Sequence, residues 1–488
     1  MVYCKSTAGS YNYQGANDPK SDRERITMSI LAAVVLPHPP IILPEVGQGG
    51  EKKIEKTTQA YWEAVKRIAE LKPDTVIVTS PHSVMYSDYF HLSPGVEATG
   101  DMGAFRAGKV KIKTQYDREL VKEITICAKE KGIPAGTLGE KEKSLDHGTM
   151  IPLYFLNKVY TGFRTVRIGL SGLSPLTHYH LGQCLSEASE RLGRRTVVIA
   201  SGDLSHKLLE DGPYGFVPQG PEFDRAITEA FAAGDFLSLL SCPSELSETA
   251  AECGLRSFWI MAGALDRKAL SSELLSYEGP FGVGYGVAWF QVTGEDTQRN
   301  IGDQFEKMLQ KQHVEQMERE DAYVRLARLS VEAYVKERKP ASLPQGLPED
   351  MLSTRAGAFV SLKKHGRLRG CIGTISPTTD NVAQEILQNA ISSGSRDPRF
   401  DPVTVSELEE LEYSVDVLGE PEEIDSPGKL NVMRYGVIVE NGSRRGLLLP
   451  NLEGVDRVEE QIAIARQKAG IEAHEPVKLY RFEVVRHK

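Results

Sequence analysis

Apolar, β-branched runs alternate with amphipathic stretches along the first 294 residues. SILAAVVL, TVIVTS, TVRIGLS and TVVIAS are short apolar runs of the kind that form buried strands. Between them, residues 51–71, 178–192, 221–240 and 252–265 carry helical spacing, and VGYGVAWFQV alternates small and large residues as a strand would. This succession predicts an α/β domain over residues 28–294, a central sheet flanked by helices. Residues 295–318 are polar with no apolar face of any width, which predicts a linker or a solvated helix. From about residue 321 the texture changes. A helical stretch at 321–337 leads through a Pro-rich loop to the short strands GAFVSLKK, LEYSVDVL and YGVIVEN, with helices near 381–393 and 458–469. A second, smaller α+β domain with an antiparallel sheet is expected over 319–488.

Residues 1–27 are polar and lack an apolar signal-peptide core. They are expected to be a disordered extension upstream of the natural start. The net charge of −9 argues against a broad nucleic-acid or anionic-membrane surface. No apolar run approaches the roughly 20 residues that span a bilayer. Six scattered cysteines (Cys4, Cys127, Cys184, Cys242, Cys253, Cys371) form no CxxC pair, which suits reduced thiols in a cytoplasmic protein.

The candidate chemistry lies in the histidines. Seven of the eleven fall between positions 38 and 206. His38, His82 and His206 each follow an apolar run within a few residues (LAAVVLPHPP, TVIVTSPHS, TVVIASGDLSH). In α/β sheets, sites gather in the crevice beyond the carboxyl ends of the strands, so these three are expected to converge although 168 residues separate the first from the last. Imidazoles with a carboxylate suit non-haem Fe(II) or catalytic zinc, and imidazole also suits copper. Ligand type alone leaves the metal open.

PHPP at 37–40, SPHS at 80–83, LDHGTMIPL at 145–153, SGDLSH at 201–206 and AECGLRSFWIMAGAL at 251–265 resemble the class III, LigB-type extradiol ring-cleavage dioxygenases, in the same order and over essentially all of 28–294. The resemblance implies Fe(II) held by His38, His82 and Glu252, an acid/base role for His206 and a substrate- or oxygen-binding role for His147. Asp203 and Asp146 are candidates to orient His206 and His147, with strand-end caps or turns as the alternative. The related Memo proteins use a two-His-one-Cys site near this motif, which leaves Cys253 open as the third ligand in place of Glu252. His178 and His180 are expected at the surface.

RLRGCIGTI at 367–375, SRDPRF at 395–400, YGVIVENG at 435–442 and RGLLLPNL at 445–452 resemble the AMMECR family. Arg367, Arg369, Arg396 and Arg399 are expected to line one groove suited to an anion. A guanidinium beside Cys371 would favour its thiolate and a nucleophilic role; a small packing side chain in a tight strand is the other reading. The fusion resembles the AmmeMemoRadiSam system, which implies a separate radical SAM partner, since no Cx3Cx2C motif occurs in this chain. Three functions remain in view. One is an Fe(II) dioxygenase acting on a catechol-like aromatic substrate with O2. Another is a metal-binding protein supporting the radical SAM partner. The third is an interaction module without metal.

Overall fold

The computed structural model describes residues 28–141, 144–364, 366–452 and 454–488, so the extension over 1–27 lies outside the described residues. The chain divides into two compact units between Glu306 and Lys307. That boundary falls inside the polar stretch expected to be a linker, which is helical over Ile301–Arg319 and buries only Ile301, Gly302 and Phe305. A helix polar on nearly all sides gains little from packing, and its first turn is where it is anchored.

The N-terminal unit is built on six strands: β1 (Ile30–Leu36), β2 (Thr75–Ser80), β3 (Arg164–Gly169), β4 (Thr196–Ser201), β5 (Lys268–Glu278) and β6 (Tyr285–Glu295), in the order β3-β2-β4-β1-β6-β5. The first four are mutually parallel; β6 runs antiparallel to β1, and β5 to β6. Every residue of β2 and β4 is buried, as both-face coverage of a parallel sheet requires. The edge strand β5 (KALSSELLSYE) lacks apolar alternation and is mostly half-exposed, so its sequence carries no strand signal.

Six helices matter to the site: α1 (Glu55–Leu71), α2 (Arg118–Glu130), α3 (His147–Leu156), α4 (Pro175–Leu192), α5 (Gln219–Ala233) and α6 (Leu255–Ala264). In α1 the buried Tyr61, Ala64, Val65 and Ile68 fall on one face by the three- and four-residue spacing that predicted it. The stretch read as one helix over 221–240 is two, because Gly234 ends α5 in the left-handed conformation at φ 64°.

Strand β4 pairs with both β1 and β2, so the carboxyl ends of all three lie side by side. His38, His82 and Asp203 each stand two residues past the end of their strand. Just beyond β4 the backbones of Gly202 and Gly254 touch: a Cβ on Gly202 would lie 2.2 Å from the Gly254 Cα. This contact and the bond from Ser257 Oγ to the Ser201 carbonyl (2.9 Å) dock the 251–257 segment on the strand end.

The C-terminal unit holds two antiparallel four-stranded sheets, where a single one was expected. β7 (Ala358–Lys364), β8 (Arg367–Gly373), β9 (Leu411–Leu418) and β14 (Val484–His487) form one, in the order β8-β7-β9-β14. β10 (Glu422–Ile424), β11 (Gly436–Asn441), β12 (Arg444–Leu448) and β13 (Lys478–Phe482) form the other, in the order β10-β13-β11-β12. Helices Ala322–Glu337 and Val382–Ser395 pack on the first sheet and Val458–Ala469 on the second. Leu418, Ile438, Leu447 and Phe482 form the apolar seam that joins them.

Gly202→Ala is expected to destabilise the N-terminal unit by about 1–3 kcal/mol, since the clash is with backbone and not with a movable side chain. An unchanged thermal unfolding midpoint would refute the contact.

Candidate metal centre

His38 is held at both ends. Its backbone N–H donates to Asp203 Oδ1 at 2.7 Å, and its ring, 2% exposed, places Nδ1 2.9 Å from Ser201 Oγ. Ser201 Oγ also lies 2.6 Å from the Gly148 carbonyl, which can only accept. The hydroxyl has one proton and spends it there, so it must accept from His38 Nδ1–H. The Nε2 lone pair of His38 is thereby left facing outward, as a metal ligand requires.

That lone pair meets two other donors. His82 Nε2 is 3.0 Å away and Cys253 Sγ is 3.7 Å away. The three ligand atoms all lie within 4.8 Å of one another, close enough for one cation. Because His38 Nε2 carries no proton, it can only accept, either from His82 Nε2–H or from a cation between the rings. The His147 ring stacks 4.0 Å from that of His82 and meets His38 edge-on at 5.4 Å, with Phe105 closing its other side at 5.2 Å. His206 donates Nδ1–H to the Leu204 carbonyl at 3.0 Å, which leaves its Nε2 free, and its ring packs against Tyr214.

The electrostatics favour neutral imidazoles. Burial, with the charge of His82 adding to it, pushes His38 down to about 3. Burial, then His82 and His38, takes His147 to about 3 as well. His82 is lowered by burial, against the pull of Asp146 and Asp203. The Cys253 thiol goes the other way: burial raises it well above its ordinary value, and the carboxylates of Asp203 and Glu252 add to the rise. A cation is what would turn this thiol into a thiolate ligand. The donor set therefore fits a metal ion.

The cluster that could hold a metal has Cys253 as its third member, the alternative that the sequence left open. Glu252 Oε2 accepts the Leu255 N–H at 2.6 Å and so caps the start of α6. Burial raises its carboxyl to about 7. The signal was present in the sequence, since an acidic residue three positions before a helical run is a cap candidate in its own right.

The hydrogen bonds of the two aspartates go to backbone N–H and hydroxyl groups. Asp146 caps α3 through Thr149 N–H at 2.9 Å and accepts from Ser80 Oγ at 2.5 Å, so it ties the end of β2 to the helix that starts at His147. Asp203 grips the His38 backbone and is pushed up to about 6 by burial. Ser201 was missed by sequence reading: a serine closing an apolar strand looks like any strand end until the fold shows what faces it. His178 is not at the surface. It is fully buried between Phe90 and Trp259 with Nδ1 on the Ser174 carbonyl, and burial lowers it to about 3.

In the C-terminal unit, two of the four arginines expected in a groove are paired with carboxylates. Arg369 makes a two-pronged pair with Glu407 (2.9 and 3.1 Å), and Arg399 does the same with Asp397 (2.9 and 2.7 Å). Arg396 is exposed beyond helix Val382–Ser395, and the Arg367 side chain lies outside the described residues. Cys371 accepts from Ser361 Oγ at 3.1 Å. Arg399 favours its thiolate, yet burial outweighs that pull and the thiol lies above its ordinary value. This geometry suits the packing reading of Cys371 better than an activated nucleophile.

His38, His147 and His178 are held neutral, with folded values near 3 against 6.5 unfolded. Their contribution to stability is present above about pH 6.5 and is lost as the pH falls toward 3, because the unfolded chain binds the extra protons. Acid unfolding of the metal-free protein should therefore begin near pH 6 and take up several protons by calorimetry. A midpoint flat from pH 7 to 4 would contradict the assignment.

Two family descriptions match this chain. The catalytic LigB subunit of aromatic ring-opening dioxygenase matches residues 32–288, and AMMECR1 matches residues 324–487. A protein of Clostridium acetobutylicum is 43% identical over 469 residues, covering 94% of this chain and all of its own length. A Thermotoga maritima protein is 49% identical over 171 residues, 35% of this chain and 98% of that one. Among solved structures, an uncharacterized protein of Pyrococcus horikoshii is 35% identical with a TM-score of 0.32, covering 35% of this chain and 90% of its own. No helix among the described residues is long and apolar enough to cross a membrane. With its crevice of histidines at the strand ends, the chain belongs to the LigB family, and its LigB domain is fused to an AMMECR1 domain.

Proposed function

We propose that the N-terminal unit is a non-haem metal centre of oxidoreductase type in which His38, His82 and Cys253 hold the ion. The observation that carries this reading is the convergence of two neutral imidazole Nε2 atoms 3.0 Å apart with a thiol sulfur 3.7 Å from one of them. Two imidazoles and a thiolate suit iron, copper or zinc, and the thiolate shifts weight toward the softer ions relative to a two-His-one-carboxylate set. Bound there, the ion would supply Lewis-acid or redox chemistry. The chain's own part is to position and to move protons. Ser201 fixes the His38 tautomer, and His206, with Nε2 free, accepts a proton from a substrate hydroxyl and returns it. His147 and Phe105 form an aromatic wall against which a planar group can lie.

The fused AMMECR1 domain supports a place in a modification or maturation system that works with a separate radical SAM protein. Cys253 in the ligand set supports this over plain ring cleavage. The second reading is extradiol cleavage of a catechol-like substrate with Fe(II) and O2, favoured by His147 beside the donor set and by the free Nε2 of His206.

Anaerobic reconstitution with Fe(II), Cu(I) and Zn(II), followed by metal counting, tests the site. Cys253→Ser is expected to lose the ion and Glu252→Gln to keep it; the reverse would return Glu252 to the ligand set. Ser201→Ala should weaken binding about 10–100-fold in a chelator competition, because the His38 ring loses the partner that fixes its proton. O2 uptake with a panel of catechols separates the two readings: uptake with ring-cleaved product supports the second, and full metal loading without uptake supports the first.

A further inference from the structure

Strand β3 buries a cation among apolar neighbours: Arg167 is 2% exposed. Its Nε donates to Ser93 Oγ at 2.6 Å, and its Nη1 donates to the Ser144 carbonyl at 2.7 Å and lies 3.7 Å from Asp146 Oδ2. From Asp146 two branches lead to the metal centre. In the first, Asp146 Oδ1 accepts from Ser80 Oγ at 2.5 Å. The single Ser80 proton goes to that carboxylate, and the same hydroxyl oxygen accepts the His82 N–H at 3.2 Å. In the second, Asp146 takes the N–H and the hydroxyl of Thr149, both at 2.9 Å, which fixes the first turn of α3 and with it His147. One buried cation therefore stands behind both the backbone of His82 and the helix start that carries His147.

We propose that Arg167 is a positioning residue for the metal centre, acting through Asp146 and Ser80 on His82 and His147. The inference rests on the reading of His38, His82 and Cys253 as metal ligands. An apolar pair of similar volume in place of a buried ion pair commonly packs as well and avoids the desolvation, so packing is not what these two charges contribute. Their contribution is direction. The guanidinium fork is planar and always charged, and it grips Ser93 and Ser144 while facing the Asp146 carboxylate. The carboxylate, held from that side, aligns the Ser80 hydroxyl that receives the His82 N–H. Without the cation the carboxylate has no fixed place, and the turn that sets His82 Nε2 3.0 Å from His38 Nε2 loses its backing.

The test is Zn(II) binding by the full chain in competition with a chelator, with each variant checked for folding by thermal melting. Arg167→Met and Asp146→Asn are each expected to bind Zn(II) about tenfold more weakly than the unaltered protein. The two together are expected to bind no more weakly than the weaker single variant, because they act in one chain of contacts. Arg167→Lys, which keeps the charge, is expected to regain most of the loss, whereas a role in packing alone would give lysine no advantage over methionine. Unchanged affinity in Arg167→Met, equal losses with Met and Lys, or a loss of about a hundredfold in the double variant would overturn the proposal. If Arg167→Met alone does not fold, the double variant, which buries no unpaired charge, is compared with Asp146→Asn. Equal affinities then support the proposal, and a further loss of about tenfold overturns it. Zn(II) binding that is absent from the unaltered chain, or that survives His38→Ala, overturns the metal reading itself and the inference with it.

Discussion

The parallel pairing of β4 with both β1 and β2 is the constraint on which the rest of the N-terminal unit depends. It sets three carboxyl ends side by side, and each chain leaves its strand within two residues of a functional side chain. The sheet alone would not make a ligand set. Ser201, the last residue of β4, has a single hydroxyl proton, and the Gly148 carbonyl claims it. That one bond dictates which nitrogen of His38 carries hydrogen and which one faces the centre. The same strand end, through the close approach of Gly202 and Gly254, brings the Cys253 segment into place.

Burial then sets the charge state. Imidazoles taken out of water lose their protons, and adjacent imidazoles oppose one another's protonation, so His38 and His147 sit far below their ordinary range. The same burial holds the Cys253 thiol and the Glu252 carboxyl in their neutral forms further up the pH scale. The result is a pocket of neutral nitrogen and sulfur donors with little charge of its own. A bound cation would be held by the Nε2 lone pairs and would favour loss of the thiol proton.

The C-terminal unit shows the opposite economy of charge. Its arginines are spent internally: Arg369 on Glu407, Arg399 on Asp397, Arg486 on Asp416. The Arg369 pair ties the turn at Val405–Glu410 to β8, the Arg486 pair crosses from β14 to β9, and the Arg399 pair closes within its own loop. Within the RLRGC motif, Arg369 is a tether to Glu407 and not a free cation.

The sequence by itself determined much of the order of elements, the polar stretch over 295–318 and the strand-end places of His38 and His82, because apolar periodicity and strand-end position are local properties of the chain. It also placed helix Val458–Ala469 and the helix beginning after Asp321. The edge strand β5 escaped because its stability comes from hydrogen bonds to β6 and not from its own pattern. The division of the C-terminal strands into two sheets escaped because pairing partners are set by register across distant segments. The sequence left Glu252 and Cys253 open, and only the tertiary structure sets the Cys253 sulfur 3.7 Å from His38 Nε2. Its place depends on the Gly202–Gly254 contact and on the Leu255 N–H that Glu252 satisfies.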